Sequence, residues 1–73
     1  MNKQEVLNKF DEAISNGAII VIQYKDPDTD KLECHGIKPG YELVGEDLYI
    51  SLIDSKVRKL LPFNCIKDIA ITF

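Results

Sequence analysis

The chain changes its hydrophobic period once, at Asn16-Gly17, and never returns to the first. Upstream, Val6, Leu7, Phe10, Ala13 and Ile14 recur at spacings of three and four, as on a helix with one apolar stripe. Asn2 can cap its start, Glu5 completes a capping box, and Gly17 tolerates positive φ just past the last apolar position. The spacing predicts a helix over about residues 3–15. A single stripe means that this helix lies on something.

Downstream, every apolar run is short. Ala18 to Tyr24 is β-branched and continuous, which predicts a strand buried on both faces, one of them under the helix. Leu32 to Lys38 reads as a second strand, interrupted by Pro39-Gly40. Leu48, Ile50 and Leu52 alternate onto one face of a third. Val57 to Leu61 and Ile69 to Phe73 complete the set, the last alternating Ile69, Ile71 and Phe73, and "PFNCIKD" between them reads as a tight turn with a single 3₁₀ turn. The fold class expected is α+β, mainly β: one helix, then a five-stranded, strongly bent antiparallel small barrel over about residues 18–73.

Seventy-three residues make one domain, 1–73. Folding hides only about 60% of the surface of so small a chain, so a partner, including a second copy, would add useful core. No apolar run reaches the roughly 18 residues of a membrane span, and MNKQEVLNKF lacks the apolar centre of a signal peptide. Two cysteines, Cys34 and Cys65, are too few for a disulfide framework, so a cytoplasmic protein with reduced thiols is the simplest expectation.

The net charge of −3 is unevenly spread. Residues 26–54 hold eight acids against two lysines, whereas residues 55–73 hold Lys56, Arg58, Lys59 and Lys67 against Asp68 alone. Overall acidity argues against unspecific nucleic-acid binding, which depends on phosphate neutralisation, but a local basic patch escapes that argument.

"YKDPDTDKLE" sets Asp26, Asp28 and Asp30 at alternate positions, like the first half of a calcium loop. Such a loop wants glycine sixth and glutamate twelfth, where this chain has Lys31 and Ile37. Asp, Pro and Thr between two strands instead make a hairpin tip, because Pro fixes φ and Asp bonds nearby amides. Cys34-His35 lacks a second close pair for zinc, and neighbours on a strand face opposite ways; a buried Cys34 and an exposed His35 are expected, with Cys65 in the core. The four glycines are scattered and make no phosphate loop, and one histidine defines no nucleophilic triad. No metal, cofactor or catalytic residue is implied, and an enzyme is not expected.

The basic stretch "DSKVRKLLPFNCIKD" carries more. Lys56 and Arg58 alternate and would share a strand face, with Lys59 opposite or at its edge. That face could bind phosphate or carboxylate, with Tyr41 or Tyr49 available for stacking. The plainer alternative is an edge strand kept from aggregating by its charges.

From about residue 13 to 72 the chain resembles a WYL domain, a small Sm-like barrel of bacterial regulators and defence-associated proteins. "IVIQYKDPDTDK" is similar to that family's first strand and acidic turn, and "IKPGYELV" to its strand with a Pro-containing kink. "DLYISLID" resembles the namesake strand, with Leu48, Tyr49 and Ile50 in the Trp-Tyr-Leu positions, and "KLLPFNCIKDI" the closing strand and turn. "LPFNCIKDIAI" is also similar to the YolD-like family, another Sm-like barrel of bacteria and phages. The resemblance implies an Sm- or SH3-like barrel with a ligand-binding basic cluster. Lys59 holds one position of the family's closing arginines, Pro62 and Cys65 occupy two others, and only Lys59, Tyr49 and Arg58 carry over.

Two function classes follow. One is a regulatory module of bacterial or phage origin that binds a nucleotide-like ligand or nucleic acid through Tyr49, Lys56, Arg58 and Lys59. The other is a protein-docking module, such as a phage or mobile-element inhibitor of a host or defence protein. There the acidic residues Asp28, Asp30, Glu46 and Asp47 would meet a basic partner, or an edge strand would pair with one.

Overall fold

In a computed structural model describing all residues, 1–73, the first fifteen residues fold as the spacing requires. Helix α1, Lys3–Ser15, starts at a full capping box: Asn2 Oδ1 accepts from the Glu5 amide at 2.9 Å, and Glu5 Oε1 accepts from the Asn2 amide at 3.4 Å. Gly17 then turns the chain with φ +64°. The helix is held by its face more than by its cap. Val6, Phe10 and Ala13 are buried, and one fully buried Phe stabilises by about 1.5–3 kcal/mol against about 1 kcal/mol for a cap. Leu7 is half-buried and Ile14 is exposed, so the stripe is narrower than the apolar positions suggest.

Six strands follow, not five: β1 (Ile19–Lys25), β2 (Leu32–Ile37), β3 (Glu42–Val44), β4 (Asp47–Ser51), β5 (Arg58–Pro62) and β6 (Ile66–Thr72). They form two antiparallel three-stranded sheets, in the orders β2-β1-β6 and β3-β4-β5. The α+β, mainly β class holds, but in place of the expected five-stranded, strongly bent small barrel there are six strands in two open sheets. The strand added is β3, which pairs with β4 across Gly45-Glu46; Gly45 at φ +61° suits the first central position of a two-residue hairpin. The 3₁₀ turn is present at Phe63–Cys65 and leads directly into β6.

The sheets meet at a corner. An isolated bridge pairs Ile37 with Leu52, the Lys38 amide donates to the Ser51 carbonyl at 3.0 Å, and the Ile53 amide donates to the Gly36 carbonyl at 2.9 Å. The core lies between the two sheets and α1: Ile20, Ile22 and Tyr24 from β1, Leu48 and Ile50 from β4, and Leu61, Phe63, Ile66 and Ile69 from the last third.

Burial corrects several sequence expectations. Strand β1 is buried on one face only, with Ile19 exposed and Val21 and Gln23 half-buried, because α1 covers the same face that the second sheet does. In β6 only Ile69 of the alternating set is buried, and Phe73 lies past the strand's last pairing, 82% exposed. Cys34 is exposed and His35 half-buried, the reverse of expectation: register pairs His35 with the buried Ile22 and Cys34 with Gln23. Cys65 is half-buried.

Candidate functional site

Strand β4 alternates core and surface, burying Leu48 and Ile50 and turning Asp47, Tyr49 and Ser51 outward. Its neighbours follow in register: Glu42 of β3 lies beside Tyr49, and Arg58 of β5 beside Ser51. The hydrogen bond between Lys38 and Ser51 brings the end of β2 to the same place. Between β4 and β5 the chain turns through Lys56, closed by the Leu52 amide on the Val57 carbonyl at 3.0 Å and by the Val57 amide on Ser55 Oγ at 3.1 Å.

The result is a cleft with two adjoining compartments. One, of about 350 Å³, is lined by Lys38, Tyr41, Glu42, Tyr49, Ser51 and Arg58 together with Pro39 and Gly40. The other, of about 320 Å³, is lined by Lys38, Ser51, Ser55, Lys56 and Arg58 and has no apolar side chain. The chain makes three ion pairs: Lys25–Asp30, His35–Glu33 and Lys59–Asp26. Lys38, Lys56 and Arg58 are in none of them, so three cations face the cleft without a carboxylate partner. Glu42 is likewise unpaired. Two serine hydroxyls and two tyrosine rings complete the lining, an arrangement suited to holding an anion beside a flat ring.

Of the residues expected at a basic face, Tyr49, Lys56 and Arg58 line this cleft and Lys59 does not. Lys59 pairs with Ile50 and so occupies the core face of β5, half-buried, with its Nζ 2.9 Å from Asp26 Oδ2. Asp26 is buried at 3% exposure, and its other oxygen accepts from the amides of Asp28 at 2.8 Å and Thr29 at 3.3 Å. The bond to Lys59 and those amides hold the Asp26 carboxyl below the usual carboxylate range, and the same bond pushes the Lys59 ammonium up. The Asp-rich stretch is thus a hairpin tip, with Asp30 at φ +61°.

Lys38 escaped the sequence reading because only the corner between sheets brings it to Arg58. Tyr41 is set by the helix: its ring meets Phe10 edge-on at 5.4 Å, and its hydroxyl donates to Asp11 Oδ1 at 3.0 Å. Burial and that bond push the Tyr41 hydroxyl's pKa up.

The acidic residues divide between two hairpins: Asp28 and Asp30 lie between β1 and β2, whereas Glu46 lies in the turn between β3 and β4 and Asp47 opens β4. No hydrogen bond or ion pair links the two pairs, and Asp30 is engaged by Lys25 at 3.3 Å. No three His, Cys, Asp or Glu side chains are grouped so as to hold a metal ion. No helix is long and apolar enough to cross a membrane. No protein-family model matches the chain, and no curated protein or solved structure is significantly similar to it.

Proposed function

We propose that this protein is a non-enzymatic binding module whose ligand is anionic and sits in the cleft of Lys38, Lys56 and Arg58. The observation that carries this reading is the convergence of three unpaired cations on one concave surface. Cations kept only to protect an edge strand need not converge, nor face hydroxyls and aromatic rings. The resemblance of "DLYISLID" and "KLLPFNCIKDI" to WYL-domain strands supports a regulatory, ligand-sensing role in a bacterium or phage. Nucleotides and single-stranded nucleic acid both fit this chemistry. The test is a salt-titrated binding assay with both, comparing the wild type with Lys56→Glu/Arg58→Glu. Saturable binding that weakens with salt and is lost in the variant, at unchanged melting temperature, supports the reading. Equal binding by the variant refutes it.

A second reading rests on β3, an edge strand exposed throughout, with Leu43 and Val44 each nearly half accessible and the acidic pair Glu46 and Asp47 next in the chain. Such an edge could accept a strand from a basic protein partner or a second copy. Charge reversal at Glu46 and Asp47 would then slow association, and a protein that stays monomeric by light scattering at high concentration would remove the second copy.

A further inference from the structure

The cleft is polarised, and its polarity narrows the ligand. Resting on the reading of the cleft as an anion site, we propose that it takes one terminal phosphate joined to a planar ring bearing N–H donors, not a phosphodiester strand. At one end Lys38, Lys56 and Arg58 stand with Ser51 and Ser55, and no apolar side chain intrudes. A phosphomonoester is close to a dianion with three accepting oxygens, and this end offers three cations and two hydroxyls for it. At the other end the lining includes Tyr41 and Tyr49 with Glu42, while the Asp11 carboxylate beside Tyr41 is already engaged by that tyrosine's hydroxyl.

Glu42 decides the matter. It stands on the opposite side of β4 from Arg58 and two residues along, because it pairs with Tyr49 whereas Arg58 pairs with Ser51. Two strand spacings and two residues set their Cα atoms on the order of 10 Å apart across the sheet and 7 Å along it. Neither is in an ion pair, so Glu42 makes no direct contact with the cations although it shares their cleft. A polyanionic strand laid from the cationic end over the tyrosines would bring its next phosphate toward that carboxylate, where like charges repel. A ring whose edge carries N–H groups would instead donate to it, and a charge-assisted hydrogen bond in a concave site confers selectivity. Stacking on a tyrosine ring does not discriminate one flat ring from another, so Glu42 would set which edge is read.

Guanosine 5′-monophosphate is a suitable probe, since guanine presents two adjacent N–H donors. Calorimetric titrations would compare it with inorganic phosphate, with guanosine and with oligothymidylate, on the wild type and on Glu42→Gln. The nucleotide is expected to bind at least about tenfold more tightly than phosphate or guanosine alone, and Glu42→Gln to weaken the nucleotide about tenfold while leaving phosphate unchanged. Glu42 is exposed, and the unchanged phosphate affinity would show that the variant is folded. Equal affinity for nucleotide and phosphate would overturn the proposal and leave the anion site standing. So would oligothymidylate binding more tightly than the nucleotide and tightening further in Glu42→Gln. If none of the phosphate-bearing probes binds the wild type, both the proposal and the anion site fall.

Discussion

Lys59 Nζ lies 2.9 Å from Asp26 Oδ2, and this is the one ion pair that ties β5 to the hairpin tip between β1 and β2. The other two are local, Lys25–Asp30 within the first hairpin and His35–Glu33 within β2. Removing one member of such a pair leaves the other buried and uncompensated. Lys59→Met is therefore expected to lower the melting temperature by several degrees, and Lys59→Met/Asp26→Asn, which removes the charge but keeps an acceptor for the Asp28 and Thr29 amides, to recover part of that loss. Neither change should alter binding in the cleft, which Lys59 does not line. Calorimetric melting of the two variants with a phosphate-bearing ligand present and absent separates the effects; loss of ligand affinity at an unchanged melting temperature would return Lys59 to the binding site.

The same pair sets a pH dependence. Asp26 titrates lower when folded than when unfolded, so its contribution is present above the ordinary carboxylate range and is lost as pH falls through the lowered folded value. Lys59 titrates higher when folded, so its contribution is present below the ordinary lysine range and is lost as pH rises through the raised value. Stability should form a plateau across neutral pH with a fall at each end. Urea unfolding at pH 7 and about pH 3 should show a smaller acid loss for Asp26→Asn than for the wild type. Identical acid losses would mean that other carboxylates carry the effect.

The hydroxyl of Tyr24 is fully buried and has no hydrogen-bond partner, and burial is the main cause that pushes its pKa up. Leaving a polar group in that position is costly, whereas replacing it by an apolar group of the same shape is nearly neutral or stabilising. Tyr24→Phe is predicted to leave the urea midpoint unchanged or raise stability by up to about 1 kcal/mol. A loss of that size instead would reveal a partner for the hydroxyl, such as a buried water.

Gly36 sits where the corner closes. A Cβ there would approach the Ile53 side chain to 2.9 Å, and the backbones of these two residues are already hydrogen-bonded. Gly36→Ala should cost about 1–3 kcal/mol through overpacking, and Ile53→Ala in the same chain should recover much of it. Additive costs in the double variant would place the strain elsewhere.

Most of the scaffold was legible because its signals are local. Helix α1 and its capping box follow from Asn2, Glu5 and the spacing of Val6, Phe10 and Ala13, all within a few turns of chain. Strand β4 followed from the alternation of Leu48 and Ile50. Strand β3 was missed because Glu42–Val44 is three residues long, exposed throughout and without periodicity, although Gly45-Glu46 between two short runs is itself a hairpin signal. The site divides along the same line. Lys56 and Arg58 do line one cleft, but Lys56 stands in the turn before β5, so the turn and not strand parity brings it there; the approach of Lys38 and the removal of Lys59 to Asp26 depend on how two sheets meet, and no nearby residue encodes that. His35 and Cys34 were exchanged for a similar reason: the parity was right, but which parity faces inward is set by the pairing with β1.

The alternation in β4 has a consequence for how this protein can change. Leu48 and Ile50 fill the interior while Tyr49 and Ser51, the residues between and after them, floor the cleft, so one short segment carries two instructions interleaved letter by letter. A slip of one residue would exchange them, drowning the leucine and isoleucine in water and entombing the tyrosine. A bound ligand that grips Tyr49 and Ser51 would therefore act as a ruler for the interior, and its occupancy would be written in the melting temperature before any other property.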